Sequence, residues 1–195
     1  TKTEPLVGAI RRNLEASGIP VEFSKGEWGP GQQEINLRYC ELLEMADRHV
    51  LYKNAAKEIA AAQGLAITFM AKWDAAMAGN SMHVHTSLWD AGGEKNLFAG
   101  DEPLPGSKLR GSPTFRWWLG GLLAHAREIA LFLAPTVNSY KRFMEGTFAP
   151  TSIDSGRSVE SRRVTHGTPS EHASSCSPPE AVTTRVAPAC RPRNC

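Results

Sequence analysis

The chain has 195 residues, 41% of them hydrophobic, which is enough to bury one sizeable core. A formal net charge of +2, with no basic run interleaved with aromatic residues, argues against nucleic acid as a partner. No apolar stretch is long enough to cross a bilayer, and the first residues lack the pattern of a signal peptide. We therefore expect a cytoplasmic protein without a membrane partner.

The first part of the chain alternates helical and extended patterns. A helix is predicted to begin with Thr3 as its N-cap and to end at Gly18. The stretches IPVEFSK and GEWGPGQQEINL then predict two strands, joined by turn residues at 29–31. A long helical pattern follows over residues 38–63.

The next part continues the alternation. AITFMAK predicts a strand, and SMHVHTSLW at 81–89 predicts a second strand through its period-two pattern. After a loop rich in Gly and Pro, Ser112 as N-cap and Pro113 at the first helical position predict a helix that reaches Leu133. The alternation of strands and helices indicates an α/β or α+β protein.

The composition changes abruptly near residue 151. Residues 151–195 contain no Leu, Met, Phe, Tyr, Trp, Lys or Gln and are rich in Ser, Pro and Arg. Such a segment buries too little apolar surface to offset the entropy of ordering it. We predict a folded part at 1–151 and an unstructured tail at 152–195. The tail is either natural or the product of a shifted reading frame, and the shifted frame is the favoured interpretation.

Two glutamates form the first candidate site. Glu27 and Glu34 stand on two predicted strands joined by a tight turn, so their carboxylates could converge on one ion. Hard divalent cations such as Mg²⁺ prefer oxygen ligands of this kind. The ordinary alternative is a pair of solvated residues on a hairpin.

The other two candidates are a histidine pair and a basic pair. His83 and His85 lie on the same side of one predicted strand, an arrangement that is structural more often than metal-binding when it stands alone. Lys141 and Arg142, after the last predicted helix, could bind a carboxylate or a phosphate. Basic pairs in loops are usually plain surface.

Taken together, these stretches are more specific than any one of them. E-x-G-P-G-Q-x-E, TFMAK, G-N-S-M-H-V-H-x-S-L and N-S-Y-K-R-F with F-A-P-T, in this order, resemble the catalytic domain of the glutamine synthetase family over residues 6–151. The resemblance implies an α+β fold in which helices flank a curved antiparallel sheet. It also implies a homo-oligomeric ligase that joins the γ-carboxylate of glutamate to ammonia or an organic amine, through γ-glutamyl phosphate, with ATP and Mg²⁺ or Mn²⁺.

The resemblance also implies roles for individual residues. Glu27 and Glu34 match ligands of one metal, and His83 matches a ligand of the second. His85 and Ser87 fall where the family contacts ATP. The remaining matches concern the substrate: Gly79 lies in the loop that lines the glutamate site, and Arg142 matches an arginine near the substrate and the transferred phosphoryl group.

The sequence departs from the family pattern in three places. Phe148 stands where ammonia-using members typically carry a glutamate, which favours the branch that uses polyamines or other organic amines. A small N-terminal domain and the family's later motifs do not appear in the chain. We therefore expect this chain to be an inactive fragment of such a ligase.

Two alternatives remain open at this point. One is a noncatalytic fragment or pseudoenzyme that binds metal or nucleotide weakly. The other is a metal-dependent hydrolase with a zinc-binding His-x-His strand, which would need further ligands at later strand ends. His125 is predicted within a helix, and His166 and His172 lie in the unusual tail, so the sequence favours the hydrolase least.

Overall fold

The computed structural model describes residues 2–105, 109–142 and 180–188, and it divides the chain into two compact units, Thr1–His85 with Pro178–Cys195 and Thr86–Ser177. The helices are α1 (Glu4–Ala16), α2 (Leu42–Ala62), α3 (Pro113–Ala124), α4 (Ala126–Leu133) and α5 (Val137–Tyr140). The strands are β1 (Val21–Gly26), β2 (Gln32–Leu37), β3 (Leu65–Thr68), β4 (Met82–Val84), β5 (Glu102–Pro103), β6 (Arg110–Gly111) and β7 (Glu180–Pro188). In the described ranges, no helix is both long and apolar enough to span a membrane.

An antiparallel sheet organises the first unit. Its strand order is β1-β2-β7-β3, and β4 also pairs with β7. β1 and β2 form a hairpin whose turn contains Gly31 with a φ of +70°, a left-handed conformation that suits glycine. Helices together with an antiparallel sheet confirm the predicted α+β class.

The core of this unit lies between the sheet and helices α1 and α2. Ile35 and Leu37 of β2 are fully buried, and one apolar side of α1 packs into the same cluster. Tyr52 of α2 is also fully buried and meets Phe69 edge to face, with ring centroids 5.6 Å apart. The large apolar side chains that α1 buries are Leu6, Val7, Ile10 and Leu14.

The second unit contains a small aromatic cluster around its longest helix. Phe98 is buried, and its ring centroid lies 5.3 Å from that of Phe115 and 5.8 Å from that of Trp118. Ser112 caps α3 as predicted, since its hydroxyl accepts a hydrogen bond from the Phe115 N–H. A side chain at Gly100 would meet the Ser112 backbone nitrogen at 2.6 Å, so this close approach of two chain segments requires glycine.

Three predicted elements differ from the structure. The helix expected from Ser112 to Leu133 is interrupted at His125, which separates α3 from α4. The strand expected at 81–89 is limited to the three residues of β4. In the tail expected to be unstructured, Glu180–Pro188 forms β7, and all of its other residues lie outside the described ranges.

Candidate active site

One face of the sheet carries the polar residues of the candidate site. Lys25 of β1 pairs with Glu34 of β2, so their side chains lie on the same face. Glu27 follows Lys25 by two residues, and its N–H donates to the Gln32 carbonyl at 3.0 Å, which continues the pairing beyond β1. Because strand side chains alternate, Glu27 and Asn36 share this face, opposite the core face.

The carboxylates of Glu27 and Glu34 both form ion pairs with Lys25. The Lys25 Nζ lies 2.5 Å from Glu27 Oε1 and 3.0 Å from Glu34 Oε2. The Glu34 side chain is only 10% exposed, whereas that of Lys25 is 51% exposed. The hairpin therefore brings Glu27 and Glu34 together, as the sequence predicts, and Lys25 forms an ion pair with both.

The environment separates the pKa values of these two carboxyl groups. A hydrogen bond with the Glu34 carboxyl lowers the pKa of Glu27 to about 2, and Lys25 and the Trp28 N–H act in the same direction. Burial, and then the contact with Glu27, raise the pKa of Glu34. Glu27 therefore keeps its charge to lower pH than Glu34, which takes up a proton first as the pH falls.

Asn36 adds an oxygen beside the pair. Its Nδ2 donates to Glu34 Oε1 at 2.9 Å, and the residue is fully buried. Its Oδ1 has no hydrogen-bond partner among the described residues. Carboxylate and amide oxygens are ligands that Mg²⁺ and similar hard cations prefer, and Mg²⁺ is commonly held by one or two carboxylates plus water. The residues present thus fit a divalent cation at Glu27 and Glu34.

His83 lies on the same face but on another strand. His83 and Asn36 both pair with Ala181 of β7, from its two sides, so two strand spacings of about 4.8 Å separate them. The His83 ring is half-buried, and its Nε2 lies 3.3 Å from the Ser81 hydroxyl. Among the described residues, no group of three or more His, Cys, Asp or Glu side chains could hold one metal ion. The structure therefore does not join His83 to the glutamate pair.

A buried amide network holds the neighbouring loop in place. The Gln32 Nε2 donates to the Gly79 carbonyl at 2.9 Å and to Asn80 Oδ1 at 3.0 Å, and its Oε1 accepts from the Gly29 N–H at 2.9 Å. Both Gln32 and Asn80 are almost fully buried. They tie the β1–β2 turn to the loop that contains Gly79. Neither was selected from the sequence, although both occur in the motifs that carry the family resemblance.

The other predicted site residues have separate surroundings. His85 follows β4 at the end of the first unit and is half-buried. Ser87 and Arg142 belong to the second unit, where the Ser87 hydroxyl accepts from Trp89 Nε1 at 3.0 Å. Burial lowers the pKa of Arg142. Phe148 lies outside the described residues.

Comparison with known proteins gives a consistent family. The family model described as the glutamine synthetase catalytic domain matches residues 1–173, which extends beyond the motif match at 6–151. The chain is 44% identical over 169 residues to gamma-glutamylethanolamide synthetase of Streptomyces coelicolor, with 85% of this chain and 35% of the relative covered. It is 38% identical over 166 residues to glutamate–isopropylamine ligase of a Pseudomonas species, with 85% and 35% covered.

Solved structures agree with these relatives. The ligand-free GmaS structure matches with a TM-score of 0.65 and 37% identity, covering 72% of this chain and 32% of that one. The cryo-EM structure of Plasmodium falciparum glutamine synthetase matches with a TM-score of 0.67 and 28% identity, covering 74% and 27%. The chain thus spans about a third of the length of the relatives that it matches.

Proposed function

The chain belongs to the glutamine synthetase family, and from this premise we propose that it forms part of an ATP-dependent ligase acting on the γ-carboxylate of glutamate. The main support is that the carboxylates of Glu27 and Glu34 both contact one cation, the Lys25 ammonium, on the polar face of the sheet. Membership in this family argues against the alternative of a metal-dependent hydrolase with a His-x-His strand. The cytoplasmic location and the homo-oligomer stay predictions.

In the proposed site, Glu27 and Glu34 hold one Mg²⁺ or Mn²⁺, and His83 holds a second. Such ions neutralise phosphoryl oxygens and orient them for attack. The oxygen atoms of Glu34 and Asn36 support a metal ion at the glutamate pair. His83 lies on a different strand, which supports a separate position for the second ion.

The substrates are assigned to the remaining candidate residues. His85 and Ser87 contact ATP, and the loop containing Gly79 lines the glutamate pocket. Arg142 stabilises the negative charge that develops as the phosphoryl group is transferred. The hydrogen bond from Gln32 to the Gly79 carbonyl supports the loop assignment, because it fixes this backbone next to the metal-binding hairpin.

The amine is the least constrained substrate. Phe148 offers an apolar or cation-π surface where a glutamate would attract ammonium, so we propose an organic amine as the preferred nucleophile. The names of two relatives, which refer to ethanolamide and isopropylamine, support this branch. In a protein of the relatives' length, Phe148→Glu should raise the relative kcat/KM for ammonium. An unchanged ranking of ammonium, ethanolamine and isopropylamine would contradict the proposal.

The metal assignment is testable on the 195-residue chain itself. Mn²⁺ binding is followed by the loss of its free-ion electron paramagnetic resonance signal. Glu27→Gln should weaken binding at least tenfold, because it removes one of two charged ligands, whereas Glu58→Gln on the exposed side of α2 should not. His83→Ala should weaken binding more than His85→Ala. Equal affinities for the wild type and Glu27→Gln would refute the site.

Catalysis by this chain alone is not expected. It covers about a third of its relatives, and removing groups that act together abolishes most activity rather than a proportion of it. We therefore expect no phosphate release that depends on both glutamate and Mg²⁺. Release above that of a heat-denatured control, with formation of a γ-glutamyl product, would show that the inactive-fragment proposal is wrong.

A further inference from the structure

We propose that Lys25 is a built-in counter-ion that occupies the position of the divalent cation between Glu27 and Glu34, so that metal binds only by displacing it. This inference rests on the proposed metal site and adds a residue that sets its affinity. Its role is to hold the carboxylates together before metal arrives, and to compete with the metal afterwards.

The geometry supports occupation of a shared position. The Lys25 Nζ lies 2.5 Å from one carboxylate and 3.0 Å from the other, so it sits where a cation bridging Glu27 and Glu34 would sit. A divalent ion bound to the same oxygens could not tolerate an ammonium group at these distances, because like charges repel strongly where solvent is partly excluded. The two cations are therefore mutually exclusive.

The side chains differ in their freedom to move. Lys25 is 51% exposed, and its unbranched stem can rotate into solvent. Glu34 is 10% exposed, and its Oε1 is held by the Asn36 amide at 2.9 Å. Displacement therefore moves the lysine, while the ligand that remains is already in place.

The size of the effect follows from the exposure of the ion pairs. Partly exposed ion pairs are individually weak, but the metal has to replace two of them at once. Removing the ammonium should therefore tighten divalent binding about tenfold, which corresponds to about 1.4 kcal/mol. A lysine that only stabilised the fold would give the opposite sign, since its loss would loosen the ligands.

The test compares three chains by Mn²⁺ titration followed by electron paramagnetic resonance: wild type, Lys25→Met and Lys57→Met. Lys57 is exposed on α2, so its substitution removes the same charge away from the pair. We expect about tenfold tighter binding for Lys25→Met and no comparable change for Lys57→Met. Without metal, Lys25→Met should also have a lower Tm than Lys57→Met, and Mn²⁺ should restore it.

The outcomes separate this inference from the proposed function. Weaker or unchanged Mn²⁺ binding in Lys25→Met, when Glu27→Gln still weakens binding at least tenfold, overturns the counter-ion role alone. If Glu27→Gln leaves binding unchanged, or if no chain binds Mn²⁺, both proposals fail. Should Lys25→Met not fold, Lys25→Gln carries the same test, because it removes the charge and keeps a polar head group.

Discussion

Removing the Asn80 side chain should destabilise the first unit markedly. Asn80 is almost fully buried and links three segments of the chain. Its Oδ1 accepts from Gln32 Nε2 at 3.0 Å, and its Nδ2 donates to the Met70 carbonyl at 2.8 Å and, more weakly, to the Thr68 carbonyl at 3.4 Å. Asn80→Ala deletes all three contacts and leaves a small cavity beside the buried amide of Gln32.

The magnitude follows from these contacts. Two hydrogen bonds of good length contribute about 1 kcal/mol each, and leaving a buried donor less satisfied costs about as much again. The hydrogen bond to the Met70 carbonyl is only part-buried, so water can replace the lost donor there and limits the loss. We expect the free energy of unfolding to fall by about 2–3 kcal/mol, which lowers Tm by about 10 °C or more for a unit of this size.

Urea and thermal unfolding followed by circular dichroism at 222 nm would measure the change. Asn54→Ala, at an exposed position of α2, is the matched control and should alter stability by no more than about 0.5 kcal/mol. Hydrogen exchange should show faster exchange around Gly79, because Gln32 loses the partner that fixes its amide. If Asn80→Ala and Asn54→Ala are equally stable, the network does not hold the loop, and the structural role given to Asn80 is wrong.

Other predictions address capping, a buried hydroxyl and titration. Tyr52→Phe should leave stability unchanged or raise it by up to about 1 kcal/mol in urea unfolding, because the Tyr52 hydroxyl is buried without a hydrogen-bond partner among the described residues. Glu41→Ala should lower it by about 1 kcal/mol, because the Glu41 carboxylate accepts from two N–H groups at the start of α2. In carbon-detected NMR titrations, Glu34 should take up its proton above the usual pKa of a glutamate, so protonation of Glu34 stabilises the folded state as the pH falls. Glu27, with a pKa of about 2, should lose its stabilising contribution only in strong acid. A Glu27 midpoint above that of Glu34 would contradict the assignment.

Local patterns predicted most of the helices and the β1–β2 hairpin. The apolar spacing of α1 and the turn residues before β2 act within a few residues, so the sequence displays them directly. The break at His125 was missed because it involves a single residue. Gly120 and Gly121 just before it have low helix propensity and were the available signal.

Strand pairing over long sequence separations was not predictable in the same way. β7 lies between β2 on one side and β3 and β4 on the other, although at least 95 residues of sequence separate it from any of them. Pairing of this kind depends on the whole fold, whereas composition reports only average burial. The segment EAVTTRVAP does contain β-branched residues suited to a strand, and the scarcity of large apolar residues around it concealed that signal.

The glutamate pair was predictable, but its counter-ion was not. A tight turn between two strands places Glu27 and Glu34 near each other whatever the rest of the fold, so spacing alone supports their convergence. Lys25 lies two residues before Glu27 and therefore shares its face. The two interpretations drawn from the sequence were ligands for an external ion and solvated hairpin residues, and neither includes a cation supplied by the same strand.

The register of β2 explains why this pair can exist before any metal binds. Strand side chains alternate, so a slip of one residue would turn Glu34 and Asn36 into the core and expose Ile35 and Leu37. Both apolar residues are fully buried against the helices, and their burial opposes such a slip by about 1.5–3 kcal/mol each. Core packing therefore fixes the face on which Glu34 lies without a bound metal, and Lys25 holds Glu27 and Glu34 together there. Metal binding then has to exchange one cation for another, without first assembling the ligands.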